Sequence, residues 1–265
     1  MNAGMPLKKS PLKFYILVFV LSVPFWLLGA IAQSLSERFP INLPVSSLMA
    51  VCPFVAALIL ANKEEKSYGI KKLVKTTFDY KKIKKKIWYV PIILLMPAVM
   101  LLSYGVMRFM ARPLPEPNIQ LFAIPILFAL FFIGALCEEI GWMGYAIDPM
   151  QDRLGALAAS LIMGAIWGIW HVVPYIQANH TLEWIVWQCI FSAAARVLIV
   201  WLYNSNGKSV FSSILFHTMI NLSFSLFPNY GSHYDPAVTG IITAIVAVFA
   251  IFLWGPKSTS QHRHD

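Results

Sequence analysis

FYILVFVLSVPFWLLGAIA, residues 14–32, contains no charged residue. A helix needs about 20 apolar residues to cross the hydrocarbon core of a bilayer, so this run predicts a membrane-crossing helix. Lys8, Lys9 and Lys13 precede it, as basic residues precede the apolar region of a signal peptide. The run is longer than such a region, and Gln33-Ser34-Leu35 makes a poor small-residue cleavage site, so it reads as a retained first helix. Seven further stretches have the same character, at about 44–62, 88–107, 119–141, 156–174, 183–203, 209–227 and 237–255. The prolines inside them (Pro24, Pro53, Pro97 and Pro125) are tolerable because neighbouring helices can satisfy the freed carbonyls. The expected fold class is all-α: a polytopic transmembrane helical bundle of about eight spans.

Composition agrees with a chain that has lipid for a solvent. Of its 265 residues, 58% are apolar and 12% charged, against about a quarter charged in a soluble domain. A single integral membrane domain over residues 1–265 is expected, with no internal repeat. Cys52, Cys137 and Cys189 lie far apart in apolar stretches, and there is no CxxC or Cys/His cluster. Neither a disulfide framework nor a structural zinc site is indicated, and the three thiols read as small buried apolar groups.

Eight spans place both termini on one side of the membrane, and the basic residues identify that side. Lys8, Lys9, Lys13, ten lysines between Lys63 and Lys86, Arg153, Lys208, Lys257 and Arg263 all fall there. Only Arg38, Arg108 and Arg112 fall opposite, and Arg196 lies inside a span. The positive-inside rule therefore makes both termini cytoplasmic. The net charge of +9 is mostly this topology signal. The basic loop at 63–87 is expected to touch anionic lipid, and no nucleic-acid partner is expected.

Ionisable groups inside spans are costly and tend to be functional. Here they are Glu138, Glu139, His171, Arg196 and His217, with Asn221 adding an amide. All sit on the fourth to seventh predicted spans, which points to one polar site in the second half of the bundle. His217 and Asn221 are four apart and share a helix face, as do Trp167 and His171. Glu138, Trp142 and Tyr145 are expected on one face of the fourth span. Glu139 is turned about 100° from Glu138, so the two carboxylates can have different roles. Glu138 and His171 are level only if the chain turns near residue 154 or 155. Each then lies about 25 Å from that turn, whereas His217 lies about 16 Å from a turn near Asn206. The levels match if the first hairpin protrudes further into the cytoplasm.

An acid, two imidazoles and an amide in apolar surroundings can make a hydrolytic centre. A carboxylate at low dielectric can take a proton from water, histidine can orient or share it, and histidine and amide donors can hold a developing oxyanion. The same groups could instead ligate a metal, although HExxH is absent. Adjacent intramembrane acids also occur in proton and cation pathways, and lone histidines serve as structural hydrogen-bonding groups. The residues alone leave hydrolase, carrier and structural readings open.

Three stretches narrow the choice. Glu138-Glu139-Ile140-Gly141-Trp142-Met143-Gly144-Tyr145 resembles the first motif, EExxxR, of the CAAX protease and bacteriocin-processing family. Trp167-Gly168-Ile169-Trp170-His171 resembles its second motif, an aromatic residue followed four later by histidine. His217-Thr218-Met219-Ile220-Asn221 resembles the third, histidine followed four later by asparagine. The resemblance covers about residues 120–225. It implies an α-helical intramembrane endopeptidase, similar to the type II CAAX prenyl endopeptidases, which remove the last three residues after a prenylated cysteine. By that resemblance Glu138 is the general base on water, His171 assists, His217 and Asn221 hold the oxyanion, and Glu139 is a supporting carboxylate. The substrate is a membrane-associated peptide, lipidated in the best-known members. A metal-free glutamate mechanism is preferred; the alternative is a divalent metal such as zinc on Glu138, His171 and His217. The implied location is a bacterial plasma membrane. One position departs from the pattern: the arginine of the first motif is Met143. Arg196 could supply that charge from another helix, or could snorkel to the cytoplasmic interface. Glu139 could be protonated, or the chain could have lost peptidase activity and serve as a bacteriocin-immunity or regulatory membrane protein.

Overall fold

The computed structural model describes residues 9–36, 45–229 and 231–254. Lys8, Arg38, Lys257 and Arg263, which contribute to the charge partition above, lie outside these residues. The elements in chain order are α1 (Pro11–Ser36), α2 (Cys52–Lys75), α3 (Tyr89–Phe109), α4 (Ala123–Gly141), α5 (Ile147–Trp170), α6 (Val172–Gln177), α7 (Leu182–Ser205), α8 (Val210–Leu226) and α9 (Pro236–Trp254). A single π-helical turn, Trp142–Ala146, joins α4 to α5. Among the described residues there is no strand, only an isolated bridge between Asn229 and Ser232.

Residues 123–177 form one long apolar helical stretch by composition, yet they make two passes. Gly155 has φ +77° and ψ 164°, breaking the helical path, in a region that suits glycine because it has no Cβ. The Trp167 indole Nε1 donates to Glu138 Oε2 at 2.8 Å. In an unbroken helix those residues would be about 43 Å apart, so the chain reverses at Gly155. Four other stretches are long and apolar enough to cross a membrane, and α8 and α9 are shorter apolar helices. With the 123–177 stretch counted twice, the passes number eight. The turn sits where the depth argument required. The difference from expectation is that residues 142–154, read as a hydrophilic connection, remain helical up to the glycine.

α7 is the central helix. Ala194 through Val200 are buried on every side, the pattern of a helix surrounded by others. At the periphery, α1 exposes Leu12, Ile16, Val20, Val23, Leu27 and Ile31, and α9 exposes Ile241, Ile245, Val248, Phe249 and Phe252. Apolar stripes turned outward are the inverse of a soluble bundle. They and the apolar passes make this an integral membrane protein. Lipid tails are as apolar as leucine, so helices associate through close packing at small residues. A Cβ on Gly164 of α5 would lie 2.7 Å from the Ala193 Cα and 2.9 Å from the Arg196 Cβ. Gly164→Ala is therefore expected to push α5 off α7 and cost about 1–3 kcal/mol, read as a lower melting temperature in detergent.

The charges segregate to the two ends. At one end Lys9 donates to the Gly144 carbonyl at 3.3 Å, Lys82 pairs with Asp79 at 2.9 Å and Lys208 pairs with Asp148 at 3.0 Å. With Lys72 and Tyr145 these line a cavity of about 300 Å³. Burial, and then the Lys72 ammonium, push the Lys9 amine below its usual pKa. At the other end Arg108 pairs with Glu116 and Arg112 with Asp235. The Asp148–Lys208 pair also fixes the levels of the hairpins. The Tyr203 hydroxyl donates to Asp148 at 3.2 Å and the Asn204 amide donates to Gln151 at 2.6 Å, so the rest of the first hairpin projects beyond the α7–α8 turn. Glu138 is about 15 Å along the helix from Asp148, and His217 is about 14 Å from Lys208. Protrusion of the first hairpin brings the acids level with His217.

Candidate active site

The two neighbouring glutamates face different helices. Glu139, with no exposed surface, turns toward α7 and α8. Arg196 Nη1 bridges its two oxygens at 2.9 and 2.7 Å, and His217 Nδ1 lies 2.8 Å from Oε1. Arg196 is fully buried and His217 is buried. Snorkelling of Arg196 to the interface is thus not what the fold does: the guanidinium is the charge partner of Glu139. Met143 is buried within the π-turn, and the cation that the resemblance placed there comes instead from α7.

Glu138 turns toward α5. Its Oε2 accepts from the Trp167 indole, and no protein group among the described residues donates to Oε1. Trp167 is the hub of the site. Its backbone carbonyl accepts from His171 Nδ1 at 2.9 Å. Since a carbonyl only accepts, that ring nitrogen carries the hydrogen and Nε2 is the acceptor of the neutral imidazole. The Arg196 guanidinium carbon lies 4.5 Å from the Trp167 ring centre, a cation–π contact that favours a cation in apolar surroundings. The rings of His217 and His171 meet the indole edge-on at 5.1 and 5.4 Å.

Glu139, Arg196 and His217 are therefore joined directly, and Glu138 and His171 are joined through Trp167. Asn221 is one turn beyond His217 on α8 and half-buried; among the described residues it makes no hydrogen bond. The expected shared face of Glu138, Trp142 and Tyr145 does not form. Trp142 packs on Phe14, Tyr15 and Trp170, while the Tyr145 hydroxyl donates to Glu64 of α2 at 2.6 Å. The π-turn widens the helix by about one residue per turn, so side chains three and four apart no longer align. Trp167 was legible only as the aromatic residue of a motif; its indole as the Glu138 donor depends on the Gly155 reversal. Among the described residues no three His, Cys, Asp or Glu side chains are grouped to hold a metal ion. Glu138, His171 and His217 are not such a group, and the Nδ1 of each imidazole is already engaged.

Residues 120–223 match the family model for the type II CAAX prenyl endopeptidase Rce1-like proteins. This is the stretch that holds both glutamates, Trp167, both histidines, Arg196 and Asn221. A protein named CAAX prenyl protease 2 from Methanococcus maripaludis is 29% identical over 235 residues, covering 83% of this chain and 85% of its own. The chain belongs to the Rce1-like CAAX endopeptidase family. Proteins named lysostaphin resistance protein A are more distant members of the same set. That of Staphylococcus epidermidis is 21% identical over 92% of this chain and 63% of its own length. That of Staphylococcus haemolyticus is 19% identical, over 92% and 67%.

Proposed function

We propose that this CAAX-protease-like chain is an intramembrane endopeptidase that uses Glu138 to activate water against a peptide bond of a membrane-associated, lipidated substrate. The supporting observation is the division of labour between adjacent carboxylates. Glu139 is fully occupied by Arg196 and His217, whereas Glu138 is steadied by one neutral donor and keeps one oxygen free of protein partners. A carboxylate held this way takes a proton from water as the water oxygen bonds to the scissile carbonyl carbon. It then returns that proton to the amine as the C–N bond breaks. His171, with Nε2 free to accept, assists that transfer. His217 and Asn221 on α8 are the donors assigned to the oxyanion, and Glu139 with Arg196 supports His217.

The test is cleavage of a fluorogenic farnesylated peptide with three residues after the modified cysteine. His171→Ala is expected to lower kcat by about 10²-fold with an unchanged melting temperature. Activity of the unaltered protein after exhaustive chelation is expected to persist. Loss on chelation with recovery on added zinc would instead favour Glu138, His171 and His217 as metal ligands. The bacterial plasma membrane is the proposed location, with the basic loop resting on anionic lipid. The staphylococcal relatives' names favour a second reading, an immunity or regulatory protein for a membrane partner. Under it, a resistance phenotype would survive His171→Ala.

A further inference from the structure

A second polar group lies beside the site on residues that belong to none of the three motifs. Tyr175, on α6, starts one turn after His171, and the two rings stack with centres 5.8 Å apart and planes 21° apart. The Tyr175 phenol lies in the field of the Glu138 carboxylate and within side-chain hydrogen-bonding reach of Gln188 on α7. Gln188 is buried. Its Oε1 accepts from the Tyr234 hydroxyl at 3.0 Å, and Tyr234 is itself buried beyond α8. Trp184 packs edge-on against Tyr175 at 5.2 Å and fixes the ring from the other side.

The direction of the hydrogens follows from the inventory of donors. An amide has one acceptor oxygen and one donor nitrogen. With its oxygen taken by Tyr234, Gln188 presents Nε2 to Tyr175, so the Tyr175 oxygen accepts from it. The Tyr175 O–H is then the unspent donor of the chain Tyr234, Gln188, Tyr175. It sits on a half-exposed residue stacked on His171 and beside Glu138.

We propose that Tyr175 donates a hydrogen bond to the peptide bound at Glu138, with Gln188 and Tyr234 as positioning residues that orient its hydroxyl toward that peptide. The assignment rests on the hydrolase reading of the site. It gives the α6 side of the site a donor opposite those of α8, one that reads the peptide backbone and is indifferent to side-chain chemistry.

The experiment uses the full-length protein in detergent with the farnesylated fluorogenic peptide. Tyr175→Phe is expected to lower kcat/KM about tenfold with an unchanged melting temperature. Tyr234→Phe, which frees Gln188 to turn, is expected to lower it about threefold in the native background and not at all in the Tyr175→Phe background. Wild-type kcat/KM in Tyr175→Phe, or a loss matched by a lower melting temperature, overturns the donor role and leaves the hydrolase reading intact, provided Glu138→Gln is inactive. Equal losses from Tyr234→Phe in both backgrounds overturn the positioning role. Absence of cleavage by the unaltered protein, or activity in Glu138→Gln, overturns the hydrolase reading and this assignment with it.

Discussion

Glu138→Gln is expected to abolish peptide cleavage, by about 10²–10⁴-fold in kcat, in a protein that folds as before. The substitution is nearly isosteric, and the glutamine carbonyl can still accept from the Trp167 indole, the bond that Glu138 Oε2 accepts at 2.8 Å. What it loses is the capacity to hold water's proton. The comparison with Glu139→Gln makes the result specific. Glu139 is chemically identical and adjacent, but it is fully buried against Arg196, so its substitution acts on stability. A cleavage assay and a melting curve on each variant separate the two effects. Full activity in Glu138→Gln would remove glutamate-activated water from the mechanism.

Arg196→Met is expected to be the most destabilising single change in the site. Removing one member of a buried ion pair leaves the other uncompensated and costs about 3–5 kcal/mol. Glu139 would be stranded with His217 as its remaining partner, at full burial. The cation–π contact with Trp167 would vanish too, loosening the indole that holds Glu138. Activity should therefore fall together with stability, unlike the effect at Glu138. Arg196 Nε and Nη2 have no hydrogen-bond partner among the described residues, so the native guanidinium is itself incompletely satisfied. The double variant Glu139→Gln with Arg196→Met removes both charges and should recover part of the lost stability, as seen in the melting temperature in detergent. Equal melting temperatures for Arg196→Met and the native protein would mean that the pair contributes nothing.

Much of the architecture was legible because lipid imposes a one-dimensional rule on sequence. A crossing helix must be long and apolar, and its flanks carry the charges. Residues 14–32 and their seven counterparts satisfy that rule without reference to any partner. The three motifs likewise marked Glu138, Glu139, His171, His217 and Asn221, since helical spacing alone aligns Trp167 with His171 and His217 with Asn221. The π-turn at Trp142–Ala146 was not legible. Its residues are compatible with an α-helix, and the extra residue per turn is set by how Trp142 and Tyr145 pack against α1 and α2.

The partners of the ionisable groups were equally out of reach of sequence. Arg196 carried a snorkelling reading and a pairing reading of comparable merit. What separates them is whether α7 lies at the periphery or the centre of the bundle, and that follows from contacts among helices far apart in the chain. The Trp167 indole reaches Glu138 only because the chain reverses at Gly155. The sequence by itself determined that this protein lives in the bilayer and which few polar groups it carries there, because burying them in lipid is too costly to be incidental. Tertiary structure alone decided which carboxylate is spent on an ion pair and which is left for chemistry, because two side chains 100° apart on one helix meet whatever neighbours the packing supplies.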